Sequence, residues 1–285
     1  MSQAQPPRVR VGHSPDPDDA FMFYGIAAKK VDTAGFEIEQ VLEDIESLNR
    51  RALEGELEVS AVSIHAYSHF RDRYALMPCG ASMGDGYGPL VVARSPIKRD
   101  DLTSTRIAVP GTLTSAFLAL RIFLGREFSY HVVPFDQILE AVKQGAADAG
   151  LIIHEGQLTF EQEGLQSVVD LGAWWAERTG GLPLPLGANA VRKDLGRETM
   201  RELTRILRDS IAYGLDHRAE ALGYALRYGR GLDAELTDRF VGMYVNDLTR
   251  DYGERGRKAI ETFLEEGRAT GLVPDAGPVE FVNLD

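Results

Sequence analysis

Short apolar or alternating runs separate amphipathic stretches along the first half of the chain. The strands that this pattern predicts cover 9–13, 36–43, 59–64, 88–94, 106–111, 130–135 and 149–154. Apolar residues that recur every three or four positions predict helices at 18–30, 45–56, 115–125 and 135–145. Strands that alternate with helices indicate an α/β fold with a largely parallel sheet. From about residue 197 onward the pattern predicts mostly helix.

One unit of the pattern occurs twice. ALEGELEVSAVSIH (52–65) and VKQGAADAGLIIHE (142–155) each consist of a predicted helix end, a glycine, an acidic turn and a strand. Such units are common in α/β proteins, so the match by itself is compatible with chance. If it is meaningful, the chain has two similar lobes, and residues 95–187 form a second lobe inserted into a first lobe of 1–94 plus 188–285. GPLVVAR and LGANAVRKD would be the crossovers of a hinged, ligand-clamping protein.

Composition narrows the possible partners. The 285 residues are 44% hydrophobic, enough for a large core, and the net charge of −12 argues against a nucleic-acid partner. The single cysteine, Cys79, excludes an internal disulfide and a cysteine-rich zinc site. No run of eighteen apolar residues is present, so we expect no membrane partner. The N-terminus has no apolar signal region, and we expect a cytoplasmic protein.

The first candidate for chemistry is His154, at the end of the strand in GLIIHEGQLTF (150–160). A ring that is partly desolvated in a cleft stays neutral near pH 7 and can accept a proton. The alternative is a structural histidine with satisfied hydrogen bonds. Alternation along a strand would point Glu155 to the opposite face, so we do not expect Glu155 to partner His154.

The segment VPGTLTSAF (109–117) predicts an anion site. A strand ends, Gly111 turns the chain, and Thr114 and Ser115 begin a helix whose first N–H groups suit a carboxylate or phosphate. The alternative is that Thr114 is a simple N-cap. The spacing is not that of a P-loop, so no nucleoside triphosphate is expected.

Two more polar segments follow predicted strands. HSPDPDDAF (13–21) brings Ser14, Asp16 and Asp18 to the end of the first strand, where Ser14 can contact a ligand. A metal could bind these oxygens, but aspartates are common in such capping loops. Ser63 ends the strand VSAVS and can contact a ligand, although no G-x-S-x-G motif surrounds it. Trp174 and Trp175 could form a flat wall for a planar ligand, and at least one of them is expected in the core.

Several of these segments, in the same order, resemble one known family. The sequences SPDPDDAFMFY, VLEDIESLNRRALEGELEVSAVSIHAY, IAVPGTLTSAF, AGLIIHEGQLTF and VVDLGAWWAERTGGLPLPLGANAVRKDLG are similar to those of 1,4-dihydroxy-6-naphthoate synthases of the futalosine route to menaquinone. The resemblance implies a two-lobed, periplasmic-binding-protein-like (type II) fold with an inserted second lobe and a helical C-terminus. It also implies a lyase that forms 1,4-dihydroxy-6-naphthoate from cyclic de-hypoxanthine futalosine, a small anionic substrate, without a metal or organic cofactor.

The resemblance also implies roles for particular residues. The cleft histidine of the family, the general base, matches His154; the hydroxyl pair matches Thr114 and Ser115, and the strand-end serine matches Ser63. With the substrate carboxylate at the helix start, its hydroxyls would lie near Ser14.

The chain departs from the family pattern in its charges. Asp16 and Asp18 stand where family members carry cysteine and asparagine, and Ala61 stands where the family can carry lysine. A more negative cleft would weaken the binding of an anion, which leaves the substrate open. The other functions compatible with the sequence are a small-acid binding protein without catalysis and the related chorismate dehydratase.

Overall fold

The computed structural model describes residues 7–275 and 277–284. The strands are β1 Arg8–His13, β2 Glu37–Leu42, β3 Val59–Ser63, β4 Tyr74–Leu76, β5 Ser82–Gly84, β6 Leu90–Ala93, β7 Ile107–Val109, β8 Tyr130–Val132, β9 Ala149–Ile152, β10 Gln166–Asp170 and β11 Leu184–Arg192. The α-helices are α1 Pro17–Met22, α2 Tyr24–Ala27, α3 Ile45–Glu54, α4 Ile64–Tyr67, α5 Ser115–Leu124, α6 Ile138–Lys143, α7 Leu171–Thr179, α8 Arg197–Asp216, α9 Arg218–Ala225, α10 Ala234–Tyr244, α11 Asp247–Arg250 and α12 Gly253–Ala269. Short 3-10 helices lie at Arg99–Ser104, Phe135–Gln137, Glu155–Leu158, Lys193–Leu195 and Leu226–Tyr228.

The strands form two sheets, each the centre of one lobe. In the first sheet the order is β2-β1-β3-β11-β4, with β5 also paired to β11. In the second the order is β10-β6-β9-β7-β8. The carboxyl ends of β1, β3 and β9 carry His13, Ser63 and the segment of His154, as the sequence predicts.

Both sheets are mixed, so the prediction of largely parallel sheets is wrong. β1 is parallel to β2 and β3, and β7 is parallel to β8 and β9. β11 is antiparallel to β3, and β6 is antiparallel to β9 and β10. β6 and β11, which run against their neighbours, are the strands that follow a chain crossing between lobes. The direction of such a strand is not set by a βαβ unit, because the chain enters the sheet from the other lobe.

Sheet membership differs in detail from the predicted crossovers. β6, within GPLVVAR, belongs wholly to the second sheet, and β11, which contains Leu184 to Arg192, pairs only with strands of the first. The chain therefore passes between the sheets before Leu90 and before Leu184, a few residues ahead of the boundaries at 94/95 and 187/188. The assignment of residues 1–94 plus 188–285 to one lobe and of residues 95–187 to the other stays a prediction.

Local signals explain several element ends. Asp44 accepts a hydrogen bond from the Ser47 N–H at 3.1 Å and begins α3, and Gly55 ends it at φ 70°. The predicted helix at 18–30 is instead divided at Phe23 into α1 and α2. Asp18 and Asp19 lie inside the first turn of α1, and Asp16 occupies its N-cap position.

Helices α8, α9 and α10 pack on the first lobe: α8 contacts α2, while α9 and α10 contact α1. Trp175 is fully buried, donates its indole N–H to the Pro183 carbonyl at 3.1 Å and meets Phe263 edge-on. This confirms the expected core role for one tryptophan. Trp174 is partly buried against Phe123. Neither tryptophan lines the cavity described below.

Candidate active site

A cavity lies between the two sheets. It contains about 740 Å³ of empty space, counting the part open to solvent. Four residues that the sequence predicts as ligand contacts share its wall: Ser14, Ser63, Thr114 and Ser115. Ile153 also lines it, but His154 does not. The structure thus brings the four predicted contacts together, and the predicted base follows a residue of the cavity wall in the chain.

The loop after β1 contributes hydroxyl and carboxyl groups. Ser14 donates its hydroxyl to Asp16 Oδ2 at 2.8 Å and its N–H to Asp19 Oδ2 at 2.7 Å. Asp18 accepts from the Ser82 hydroxyl at 3.2 Å. Burial, and then the charges of Asp19 and Asp16, raises the pKa of Asp18 well above its usual range. Burial also raises the pKa of Asp19, so both carboxyl groups resist ionisation.

His13, at the end of the same strand, has a structural environment. Its Nδ1 lies 2.9 Å from the Ser14 carbonyl oxygen and its Nε2 lies 3.0 Å from Gln40 Oε1. The ring stacks on Phe23 with centroids 4.3 Å apart. Both ring nitrogens are engaged, so His13 is not a candidate base.

Ser63 is held by a residue that the sequence does not single out. Asn49, on the buried face of α3, donates its amide to Ser63 Oγ at 3.0 Å and accepts the Ser63 N–H at 2.8 Å. Because Ser63 Oγ accepts this bond, its own hydrogen is available to a ligand. The sequence gives one signal for Asn49: it is a polar residue at a position where the helical period predicts a buried, apolar one.

The hydroxyls at the start of α5 are used by the protein itself. Thr114 Oγ1 accepts the Phe117 N–H at 3.2 Å and donates to the Gly111 carbonyl at 3.0 Å. Ser115 Oγ donates to the Leu186 carbonyl at 2.5 Å and accepts the His65 N–H at 3.2 Å. The simple N-cap interpretation of Thr114 is therefore confirmed. The first backbone N–H groups of α5 have no acceptor within the helix. They belong to the cavity wall, because Ser115 and Ala116 line the cavity.

His154 is 6% exposed and its ring is oriented by its neighbours. Nδ1 accepts the Gly156 N–H at 2.9 Å, so the neutral ring carries its proton on Nε2. Nε2 is buried and makes no hydrogen bond of good geometry within 7–275 and 277–284, although the Phe135 backbone lies near enough to favour a protonated ring. Phe135 meets the ring edge-on, with centroids 5.6 Å apart. Burial lowers the pKa of His154 below 6.5.

Glu155 is a neighbour of His154 after all. Its Oε2 lies 3.8 Å from His154 Nδ1. The expectation from strand alternation is wrong because β9 ends at Ile152 and the chain turns into a 3-10 helix at Glu155–Leu158. A carboxylate at this distance favours an imidazolium once the ring takes up a proton.

Two further residues were missed by the sequence analysis. Arg230, in the loop before α10, donates to Asp16 Oδ1 at 2.7 Å and to Glu155 Oε1 at 2.9 Å. Tyr244, on α10, lines the cavity and donates to Gln157 Oε1 at 3.0 Å. Both contacts join residues far apart in sequence, and no local pattern indicates them.

The described residues offer little for other kinds of site. Within 7–275 and 277–284, no group of three or more histidine, cysteine, aspartate or glutamate side chains is placed to hold a metal ion. No helix in those ranges is long and apolar enough to cross a membrane.

The fold defines the class of protein. The chain matches the solved structure of the alkanesulfonate-binding protein SsuA from Xanthomonas axonopodis pv. citri with a TM-score of 0.73 over 97% of this chain and 98% of the other, at 14% identity. It is a two-lobed α/β protein of the periplasmic-binding-protein fold. A crystal structure of an Archaeoglobus fulgidus protein matches with a TM-score of 0.89 at 49% identity, over 93% of this chain and 98% of the other.

Sequence comparison gives the family. The model of the menaquinone biosynthesis family matches residues 9–269, and the chain belongs to this family. A 1,4-dihydroxy-6-naphthoate synthase of Thermus thermophilus is 45% identical over 96% of this chain and 99% of its own length. The enzyme of the same name from Streptomyces coelicolor is 36% identical over 95% and 96%. The resemblance found in the sequence motifs is confirmed.

Proposed function

We propose that the protein cleaves cyclic de-hypoxanthine futalosine to 1,4-dihydroxy-6-naphthoate, with His154 as the general base. The observation that carries the proposal is a buried histidine next in the chain to Ile153, which lines the same cavity as Ser14, Ser63 and the start of α5. The names of the curated relatives support the same product.

The carboxylate on the aromatic part of the substrate is proposed to bind at the start of α5. The partial positive charge of a helix N-terminus and its free N–H groups favour an anion there. Because the hydroxyls of Thr114 and Ser115 already have protein partners, the backbone N–H groups of Ser115 and Ala116 make the contact. Ser63 donates its free hydroxyl hydrogen, and Ser14 lies near the sugar-derived hydroxyls.

His154 can take a proton only through the lone pair of Nδ1, because Nε2 carries the proton of the neutral ring. In the described arrangement Gly156 N–H occupies that lone pair. Proton transfer therefore requires the substrate to replace the Gly156 N–H at this lone pair. Glu155 then stabilises the imidazolium that forms, and the proton is available for return to the departing fragment.

The departures from the family pattern add less negative charge to the cavity wall than the sequence suggests. Asp16 is paired with Arg230. The raised pKa of Asp18 favours its neutral form, which presents an O–H donor where the family has an asparagine amide. A small anionic substrate is thus compatible with this wall of the cavity. We propose a cytoplasmic location, which agrees with a family that acts in menaquinone biosynthesis.

A binding protein without catalysis is the second candidate. It is favoured by one observation: the Nδ1 lone pair of His154 is occupied and Nε2 is buried. Chorismate dehydratase activity has no comparable structural support and enters only as an outcome of the test.

The test is to incubate the purified protein separately with cyclic de-hypoxanthine futalosine and with chorismate, and to follow products by mass spectrometry. We expect naphthoate from the first substrate and no conversion of the second. His154→Ala should abolish product, whereas His217→Ala, at an exposed position, should not. Tight binding of the first substrate without product would support the binding protein, and conversion of chorismate the dehydratase.

A further inference from the structure

Arg230 has an unusual backbone and many side-chain contacts. It lies between Gly229 and Gly231 with φ 46°, a left-handed conformation that residues other than glycine rarely adopt. One terminal nitrogen donates to Asp16 Oδ1 at 2.7 Å and to both Glu155 oxygens at 2.9 and 3.0 Å. The other donates to the Pro15 carbonyl at 3.2 Å. The loop is thus bent so that a single guanidinium reaches all of these acceptors.

These contacts join the two lobes. Asp16 and Pro15 follow β1 of the first sheet, whereas Glu155 follows β9 of the second. The guanidinium also lies over the ring of Phe135, in the second lobe, 4.8 Å from its centroid. Arg230 therefore ties the segment after β1 to the segment after β9, beside the cavity that Asp16 lines.

The partners of Arg230 in the second lobe are the neighbours of His154. Glu155 Oε2 lies 3.8 Å from His154 Nδ1, and Phe135 meets the imidazole edge-on at 5.6 Å. One side chain thus holds both the carboxylate and the aromatic ring that surround the histidine. The Glu155 side chain is only 7% exposed, so without its cation it would be a buried, unpaired charge.

We propose that Arg230 is a positioning residue for His154: by bridging Asp16 to Glu155 and covering Phe135, it closes the lobes and fixes the shell that orients the imidazole. The catalytic consequence rests on the proposed function, but the structural one does not. Loss of the guanidinium should release the segment at 153–160 and admit water to the ring.

The chain offers a matched control. Arg218 pairs with Asp238 through two contacts at 3.0 and 2.5 Å and lies over Phe21, 5.5 Å from the centroid. It therefore makes an ion pair and a cation–π contact like those of Arg230, but only within the C-terminal helices and α1. Arg218→Gln removes the same kind of interaction without touching the cleft.

The first measurement is hydrogen–deuterium exchange by mass spectrometry on the unliganded protein. Arg230→Gln should exchange faster than wild type in peptides that cover 13–20 and 153–160, and Arg218→Gln should not. Arg230→Lys should be intermediate, because one ammonium cannot keep the carboxylate contacts, reach the Pro15 carbonyl and cover Phe135 at once. If Arg230→Gln does not fold, Arg230→Lys carries the test.

The second measurement is the titration of His154 by side-chain NMR. The charged groups that act on its ring are Glu155, Asp16 and Arg230. Removal of Arg230 takes away a nearby positive charge and opens the site to water, and both effects raise the pKa of His154. Arg230→Gln should therefore titrate at higher pH than wild type, and Arg218→Gln should match wild type.

With substrate, Arg230→Gln should lower kcat by on the order of 100-fold, more than it raises KM, because a displaced catalytic group costs turnover. Unchanged exchange at 153–160 together with an unchanged His154 titration would overturn the positioning role. If wild type converts no substrate, the proposed function fails, and the exchange and titration results still decide the role of Arg230.

Discussion

Asn49 and Ser63 hold each other through two hydrogen bonds. Asn49 donates to Ser63 Oγ at 3.0 Å, and the Ser63 N–H donates back to Asn49 Oδ1 at 2.8 Å. Asn49 is fully buried and Ser63 is 3% exposed, so neither can exchange this partner for water. The pair fixes the end of β3 against α3 and leaves the hydroxyl hydrogen of Ser63 for a ligand in the cavity.

Replacing Asn49 by alanine should therefore affect both stability and binding. It leaves the Ser63 N–H without its buried acceptor, and we expect a loss of about 1–3 kcal/mol in the free energy of unfolding, measured in urea. KM should rise because Ser63 is no longer oriented. Glu54→Ala, at an exposed position of the same helix, should change stability by less than about 0.5 kcal/mol. Equal stabilities of the two variants would contradict this role of Asn49.

The anion site at α5 is tested with the ligand rather than the protein. The reaction product, 1,4-dihydroxy-6-naphthoate, should bind at least about tenfold more tightly than its 6-carboxamide, because hydrogen bonds to a charged acceptor are each worth about 1.5–3 kcal/mol. Calorimetric titration of both compounds gives the ratio. Ser115→Ala should change the two affinities by the same factor, since its hydroxyl is bonded to Leu186. Equal affinities for acid and amide would place the carboxylate elsewhere.

Gly156 controls the position of the His154 ring. A Cβ at residue 156 would lie 2.6 Å from His154 Cε1 and 2.8 Å from Leu139 Cδ1, so Gly156→Ala has to displace the imidazole. We expect kcat to fall by on the order of 100-fold while KM changes little. Gly223→Ala is the control, because a Cβ there meets nothing within 4 Å. Wild-type kcat in Gly156→Ala would show that the observed ring position has no part in turnover.

His65 makes stability depend on pH. Burial, and then the nearby His69, lowers the pKa of His65 from 6.5 to about 4. Between these values the unfolded chain binds a proton more readily than the folded protein. The stabilisation is thus complete above pH 6.5 and is lost as the pH falls towards 4, by about 3 kcal/mol in all.

His65→Gln should flatten this dependence between pH 6.5 and 4, which thermal or urea unfolding at several pH values measures. His217→Gln, at an exposed position, should keep the wild-type slope. A wild-type slope in His65→Gln would assign the acid sensitivity to other groups.

The sequence predicts features that depend on neighbours along the chain. The strand ends at His13 and Ser63, the cap at Thr114 and the glycine stop at Gly55 follow from local patterns, and the structure contains each of them. Four of the five predicted site residues also follow from where strands end and a helix begins, and they line one cavity.

Features that depend on tertiary contacts were either missed or predicted incorrectly from the sequence. Arg230 contacts residues 75 and 214 positions away, and its loop carries no motif. Strand alternation failed for Glu155 because the strand ended two residues earlier than predicted. The direction of β6 and β11 depends on where the chain changes lobes, which periodicity does not reveal.

The most direct test of the account is the pH dependence of kcat for cyclic de-hypoxanthine futalosine, in wild type and in His154→Gln. Since burial lowers the pKa of His154 below 6.5, a neutral base predicts constant kcat above pH 6.5 and a fall at lower pH. His154→Gln should lose most of kcat, and the fall should disappear from any residual rate. A wild-type midpoint above pH 6.5, or a His154→Gln variant with the full rate, would contradict catalysis by this histidine.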